Sequence, residues 1–187
     1  MTSIRQLLVV GALIALPSTV SAQQGRQISF GISGGLSTPT SDLGEKTESG
    51  YNVTAHLVVK PAGRQHLMYR GDISYDRWAT KQASSNVVKS NASSTGMIGN
   101  VLYVVGGARA TMRPYALVGA GFYQSQLTLA GATTGLRSES ADIGVQAGGG
   151  VQFALAGMTT FVEAKYVNVR RAGTPWSYLP ITFGIRL

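Results

Sequence analysis

Residues 179–187, with the sequence LPITFGIRL, alternate strictly between apolar side chains and a mixed second set. The apolar parity consists of Leu179, Ile181, Phe183, Ile185 and Leu187. A period of two residues is typical of a β-strand whose two faces meet different surroundings. The segment therefore predicts a strand with one continuous apolar face, and its single charge, Arg186, lies on the opposite face.

The same two-residue period recurs upstream in seven further runs. These runs are 28–36, 51–59, 67–75, 97–105, 115–123, 141–153 and 162–166. In run 115–123 the pattern predicts that Tyr115, Leu117 and Tyr123 lie on the apolar face. Phe122 and Gln124 are predicted on the opposite face. Bacterial outer-membrane barrels have even numbers of strands, beginning at eight. The pattern predicts an all-β fold, an eight-stranded antiparallel up-and-down transmembrane β-barrel.

The connections between the runs alternate in length. Those at 39–49, 80–95, 130–138 and 171–177 are long or polar, whereas those at 61–64, 106–112 and 155–157 are short. Long loops on one side and short turns on the other are typical of a transmembrane barrel, with the long loops outside the cell.

Charged residues indicate which face of the strands lies inside the barrel. Eight of them occupy the face opposite the apolar one: Lys60, Arg70, Asp72, Asp76, Asp142, Glu163, Lys165 and Arg186. A charge facing lipid at mid-membrane costs about 2–4 kcal/mol, so these side chains are expected in the lumen. Buried charges need partners, and four acids here match four bases. The sequence predicts a lumen charge network.

Aromatic residues cluster near the ends of the predicted strands. They are Tyr51, Tyr75, Trp78, Tyr123 and Tyr178 at the outer ends, with Tyr115 and Phe153 at the inner ends. Tyrosine and tryptophan are enriched where a membrane protein crosses the two lipid–water interfaces. We therefore expect these residues to form aromatic belts.

The N-terminal residues 1–22 have the three parts of a secretory signal peptide. Arg5 supplies the positive charge, 7–16 is an apolar run, and a small-residue cleavage site ends at Ala22. The run is too short for a spanning helix, which needs about twenty residues. The sequence predicts a cleaved signal peptide at 1–22 and a barrel domain at 23–187, exported to the outer membrane.

Three segments carry a resemblance to a known family. They are RPYALVGAG at 113–121, GVQAGGGV at 144–151 and the strand at 179–187. With these segments the chain resembles the small outer-membrane β-barrel proteins of the OmpA/OmpX-like group. The resemblance implies a bare barrel whose C-terminal strand is read by the barrel-assembly machinery. Family members usually end in an aromatic residue, and this chain ends in Leu187.

Catalytic, cofactor and metal sites are not predicted. The chain has no cysteine, and the glycines at 148–150 are not followed by the Lys-Ser/Thr of a phosphate-binding loop. Neither His56 nor His66 has a nucleophile or carboxylate within recognisable spacing. The net charge is +8, but the basic residues are scattered and match no nucleic-acid motif.

The sequence favours a structural or surface-interaction role, such as envelope integrity, adhesion or surface protection. A narrow pore for ions or small solutes is the first alternative, and a lipid-modifying enzyme is the second. Outer-membrane lipid and lipopolysaccharide are the expected partners of a barrel that is expected to be a monomer. Arg170 and Arg171 at one strand end are candidates for contact with lipopolysaccharide phosphates, which arginine binds bidentately.

Overall fold

Eight antiparallel strands close into one barrel, as the alternation predicted. The computed structural model describes residues 27–79, 91–107, 110–129, 136–155, 157–170 and 175–187, so the predicted signal peptide at 1–22 lies outside it. Each strand pairs with its sequence neighbours, and the first strand pairs with the last. The elements are β1 (Gln27–Thr40), α1 (Ser41–Lys46), β2 (Gly50–Lys60), β3 (Leu67–Ala79), β4 (Asn91–Val104), β5 (Met112–Leu129), β6 (Leu136–Leu155), β7 (Met158–Arg170) and β8 (Trp176–Arg186).

The two ends of the barrel differ in their connections. The β1–β2, β3–β4, β5–β6 and β7–β8 connections meet at one end, called here the long-loop end, and the other three meet at the short-turn end. The strands run further towards the long-loop end than the sequence predicts, because 91–95 and 136–138 belong to β4 and β6. The β1–β2 connection contains the short helix α1, which the sequence does not predict.

The outward face is apolar along most of the barrel. Phe30, Met97, Ile143 and Phe183 are each more than half exposed, as is expected for side chains that face lipid rather than a protein core. In β1–β4 and β6–β8 the predicted apolar parity points outward. A charge at mid-membrane is costly only on this face, which explains why the charges marked the lumen face correctly.

The predicted orientation of β5 is wrong. Tyr115, Leu117 and Tyr123 are 6%, 2% and 1% exposed and point into the lumen, whereas Phe122 is 70% exposed and Gln124 also faces outward. Both faces of this strand are apolar, so hydrophobicity alone does not distinguish them. The lumen accepts large apolar side chains here because the layers above and below the buried charges are themselves apolar.

The predicted aromatic belts are partly wrong. Tyr51 and Tyr75 lie on the outer surface with their ring centroids 6.2 Å apart, as expected for interface residues. Trp78, Tyr115, Tyr123 and Tyr178 are instead buried inside the barrel. Aromatic rings provide the volume that fills an eight-stranded lumen, whose diameter suits packed side chains.

Candidate functional site

The lumen is filled by three layers of side chains. An apolar outer cluster lies towards the long-loop end, a polar central network lies in the middle, and an apolar inner cluster lies towards the short-turn end. β3 shows the order along one strand: Met68 belongs to the inner cluster, Arg70 and Asp72 to the central network, and Trp78 to the outer cluster. The same order recurs along β4 and β7.

The outer cluster consists of Leu43, Trp78, Ala92, Ile98, Tyr123, Val167, Val169, Trp176 and Tyr178. Trp78 packs edge-on against Tyr178 with ring centroids 4.8 Å apart, and its indole nitrogen donates to the Ser37 carbonyl oxygen at 3.1 Å. Leu43 reaches this cluster from α1, which contacts β1 and β8. The helix therefore adds an apolar side chain to the outer cluster at the long-loop end.

The centre of the polar layer is Arg70. Its Nη1 and Nη2 donate to the two Glu163 carboxylate oxygens at 2.7 and 2.9 Å, across the lumen from β3 to β7. Its Nε and Nη2 also donate to Asp72 Oδ2 at 3.2 and 3.0 Å. Lys165 Nζ lies 3.4 Å from Glu163. Two carboxylates and two cations thus neutralise one another where water is excluded.

Neutral side chains complete the central network. The Tyr115 hydroxyl donates to Glu163 at 2.7 Å, and the Asn100 amide donates to Asp72 at 2.9 Å. The Gln146 amide in turn donates to the Asn100 side-chain oxygen. These bonds use the carboxylate lone pairs that the cations leave free, a requirement for buried charges to be tolerated.

The central network also contains a Ser-His-Asp arrangement that no local sequence motif predicts. His56 Nδ1 lies 2.8 Å from Asp72 Oδ1, and His56 Nε2 lies 2.8 Å from the Ser33 hydroxyl oxygen. Because a carboxylate only accepts, neutral His56 donates from Nδ1 and its Nε2 accepts the Ser33 proton. The signal was present in the strand register, which sets His56 directly opposite Asp72.

The inner cluster consists of Val58, Met68, Leu102, Val104, Tyr115, Leu117 and Phe161. A cavity of about 10 Å³ lies where this cluster meets the central network, lined by His56, Arg70, Gln152, Phe161 and Arg186 among others. That volume is about enough for one water molecule. Ser33, His56 and Asp72 are each at most 4% exposed, so the described residues keep the Ser33 hydroxyl out of contact with solvent.

The structure brings together four of the eight charges predicted for the lumen, namely Arg70, Asp72, Glu163 and Lys165. The other four lie elsewhere on the lumen face. Asp76 is buried nearer the long-loop end and accepts from the Asn52 amide at 2.9 Å, and Asp142 lies on the same half of the barrel. Lys60 and Arg186 lie at the short-turn end.

The two arginines proposed to contact lipopolysaccharide lie at the long-loop end of β7. Arg170 is exposed there, and Arg171 lies outside the described residues. In the part of the chain that the structure describes, no group of three or more His, Cys, Asp and Glu side chains is arranged to hold a metal ion.

A comparison against protein families agrees with the closed barrel, its apolar outer surface and its long-loop end. Residues 7–174 match the family described as outer membrane protein beta-barrel domain. The chain belongs to this family. As a member, it is an outer-membrane protein, and the outer face of its strands contacts outer-membrane lipid. A search of curated proteins found no significant match.

Three solved structures share this fold at low sequence identity. Neisserial surface protein A is 14% identical with a TM-score of 0.61, covering 88% of this chain and 99% of its own. A major outer membrane protein from Thermus thermophilus is 12% identical with a TM-score of 0.57, covering 86% and 100%. Ail, the attachment invasion locus protein of Yersinia pestis, solved with the heparin analogue sucrose octasulfate, is 15% identical with a TM-score of 0.52, covering 87% and 99%. At these identities the likeness is one of fold.

Proposed function

We propose that this family member is a sealed outer-membrane barrel that acts through its outer surface, in adhesion, surface protection or envelope integrity. The single observation that carries the proposal is the filled lumen. Apolar clusters cover a charge-neutral network on both sides, which supports a lumen closed to water and substrate in the part of the chain that the structure describes. The name of Ail, an attachment invasion locus protein, agrees with such a role for this fold but assigns none to this chain.

The filled lumen argues against the alternative function, a narrow pore for ions or small solutes. Aqueous porins need about 16 strands, whereas eight leave an interior that side chains fill. In this chain Trp78, Tyr123 and Tyr178, each at most 1% exposed, occupy the axis towards the long-loop end. A pore would require these rings and Leu43 of α1 to move aside together.

The experiment is reconstitution of purified protein into planar bilayers and into liposomes, with a known porin as positive control. We expect no steady conductance and no uptake of small sugars. Leu43→Asp, which puts a charge into the outer cluster, tests whether that cluster is the seal. Reproducible sugar-permeable channels in the wild-type protein would overturn the proposal and put the pore first.

The catalytic alternative has one observation in its favour, the Ser33–His56–Asp72 arrangement. Its burial argues against it, because a nucleophile must be reachable by the substrate as well as by its base. We interpret the arrangement as part of the packing of the central network. A lipid-modifying activity that is lost in His56→Ala, with the barrel still folded, would contradict that interpretation.

Contacts with the surrounding envelope are the last part of the proposal. We infer that Arg170 and Arg171 pair with lipopolysaccharide phosphates, that the barrel-assembly machinery inserts the chain, and that the folded barrel is a monomer. The exposure of Arg170 at the long-loop end supports the first inference. A double Arg170→Ala, Arg171→Ala variant should bind lipopolysaccharide micelles more weakly, whereas Arg64→Ala at the opposite end should not.

A further inference from the structure

The corrected orientation of β5 puts an additional base on the lumen face. Arg113 has the same parity as Tyr115 and Leu117, which point inward. Among the residues that the structure describes, the lumen face then carries five bases against four acids, namely Lys60, Arg70, Arg113, Lys165 and Arg186 against Asp72, Asp76, Asp142 and Glu163. The charges of the lumen therefore do not balance.

The excess of positive charge is concentrated at the short-turn end. Arg70 and Lys165 are matched by Asp72 and Glu163 within the central network. Lys60, Arg113 and Arg186 lie beyond that network, where no Asp or Glu of the described residues is found. Arg113 is the register partner of Gln152, and Arg186 donates to the Gln152 side chain, so both guanidinium groups lie at this end of the lumen. Positive charges gathered at one end of the lumen without an acid among the described residues favour a counter-ion there.

Gln152 organises this end of the lumen. It lies directly opposite Arg113 in the β5–β6 register, and its Oε1 accepts from Arg186 Nη2 at 2.8 Å. That bond fixes the amide orientation, because a guanidinium cannot accept from the amide nitrogen. Gln152 is only 4% exposed, and its Nε2 has no acceptor among the described residues. The Nε atom of Arg113 is also buried and also has no acceptor among them. A buried donor without an acceptor destabilises the folded state, so these two donors favour an added acceptor.

We propose that the short-turn mouth of the lumen binds an oxyanion of the phosphate class between Arg113, Gln152 and Arg186. Guanidinium groups pair with phosphate through parallel N–H donors, and here they come from two strands with an amide donor between them. A phosphate group has enough oxygens for all three side chains and supplies the missing negative charge. Arg113 and Arg186 are part-exposed, so the site is open towards the short-turn side.

Two sources provide this chemistry, free phosphate and the headgroup of an anionic phospholipid in the adjoining leaflet. The first arm of the test titrates sodium phosphate against sodium chloride at constant ionic strength, with the protein folded in zwitterionic micelles. The second arm uses vesicles of phosphatidylcholine alone or mixed with phosphatidylglycerol. The urea midpoint of unfolding is measured in both, because a ligand that binds only the folded state raises it saturably.

We expect a saturable rise in at least one arm, and the arm that responds identifies the source. Arg113→Ala or Arg186→Ala should raise the half-saturating concentration at least about tenfold, the factor that one charge-assisted hydrogen bond contributes. Arg64→Ala removes the same charge from the exposed β2–β3 connection at the same end and should leave the titration unchanged. The proposal is overturned if phosphate gives no rise over chloride in the first arm and phosphatidylglycerol gives no rise over phosphatidylcholine alone in the second. An equal loss in Arg64→Ala overturns it as well.

Gln152→Glu keeps the test decisive where an arginine variant fails to fold. The substitution preserves size and places a carboxylate between Arg113 and Arg186. We expect it to raise the midpoint without ligand and to abolish the response to phosphate. A Gln152→Glu protein that folds and still responds like the wild type contradicts the site.

Discussion

Replacing Arg70 tests whether the central network is an electrostatic unit or only packing. Arg70→Met keeps most of the side-chain length and removes the charge. It leaves Asp72 and Glu163, both with 0% exposed side chains, without their main counter-ion. Glu163 retains Tyr115 and the more distant Lys165, and Asp72 retains its bonds to neutral groups. We expect the free energy of unfolding to fall by about 3–5 kcal/mol, the usual cost of leaving a buried charge unpaired.

A double-mutant cycle separates the interaction from the damage of each single change. Glu163→Gln alone keeps an oxygen for the Tyr115 hydroxyl and should cost about 1.5–3 kcal/mol for the lost charge-assisted bonds. In Arg70→Met with Glu163→Gln, one of the two stranded carboxylates is gone. The double variant should therefore be more stable than the sum of the single effects predicts, by about 1–3 kcal/mol.

The assay is urea unfolding in phospholipid vesicles, followed by heat-modifiable gel mobility. The control cycle pairs Arg70→Met with Asp76→Asn, because Asp76 is buried further along β3 and bonds to Asn52 instead. That pair should be additive within about 0.5 kcal/mol, as is usual for separated sites. Additivity in the Arg70–Glu163 cycle as well would refute the electrostatic unit.

Three further predictions concern the two faces of the strands and the outer cluster. Phe183→Arg, on the lipid face, should cost about 2–4 kcal/mol and lower the folded fraction in membranes. Gly99→Ala should be tolerated because the added Cβ has no neighbouring atom within 4 Å. Gly121→Ala should be strongly destabilising because the added Cβ would clash with the Met97 carbonyl oxygen. Urea unfolding measures the stability of both variants. Leu43→Asp should shift tryptophan emission to the red without loss of the folded gel band, since the two tryptophans of the chain both lie in the outer cluster.

The fold was predictable because lipid imposes one strict rule on the sequence. A charged side chain does not face the hydrocarbon, so Asp72 in β3, Glu163 in β7 and Arg186 in β8 each identified the lumen face of its strand. Loop lengths then gave the order and direction of the strands. Helix α1 was not predictable in this way, because it forms in a connection where neither lipid contact nor strand alternation constrains the sequence.

The central network was only partly predictable. Parity places a side chain in the lumen but does not say which strand faces it, so the pairing of Arg70 with Glu163 needed the closed barrel. The contact of His56 with Asp72 was within reach of the sequence, since the short β2–β3 connection fixes the register of that hairpin. No local motif around His56 reveals this contact, because Asp72 lies 16 residues away along the chain and only the hairpin register brings it near.

The error in β5 has a physical cause that applies to small barrels in general. In a small barrel an apolar side chain can face either the lipid or an apolar layer of the filled lumen. Hydrophobicity therefore does not distinguish lipid-facing from lumen-facing positions. Phe122 and Tyr123 are neighbours of similar size, yet one is 70% and the other 1% exposed. The one informative residue was Arg113, whose charge shares the parity of Tyr115 and so favours the lumen for that parity. The residue that corrects the strand is thus the same residue that unbalances the lumen and creates the proposed oxyanion site.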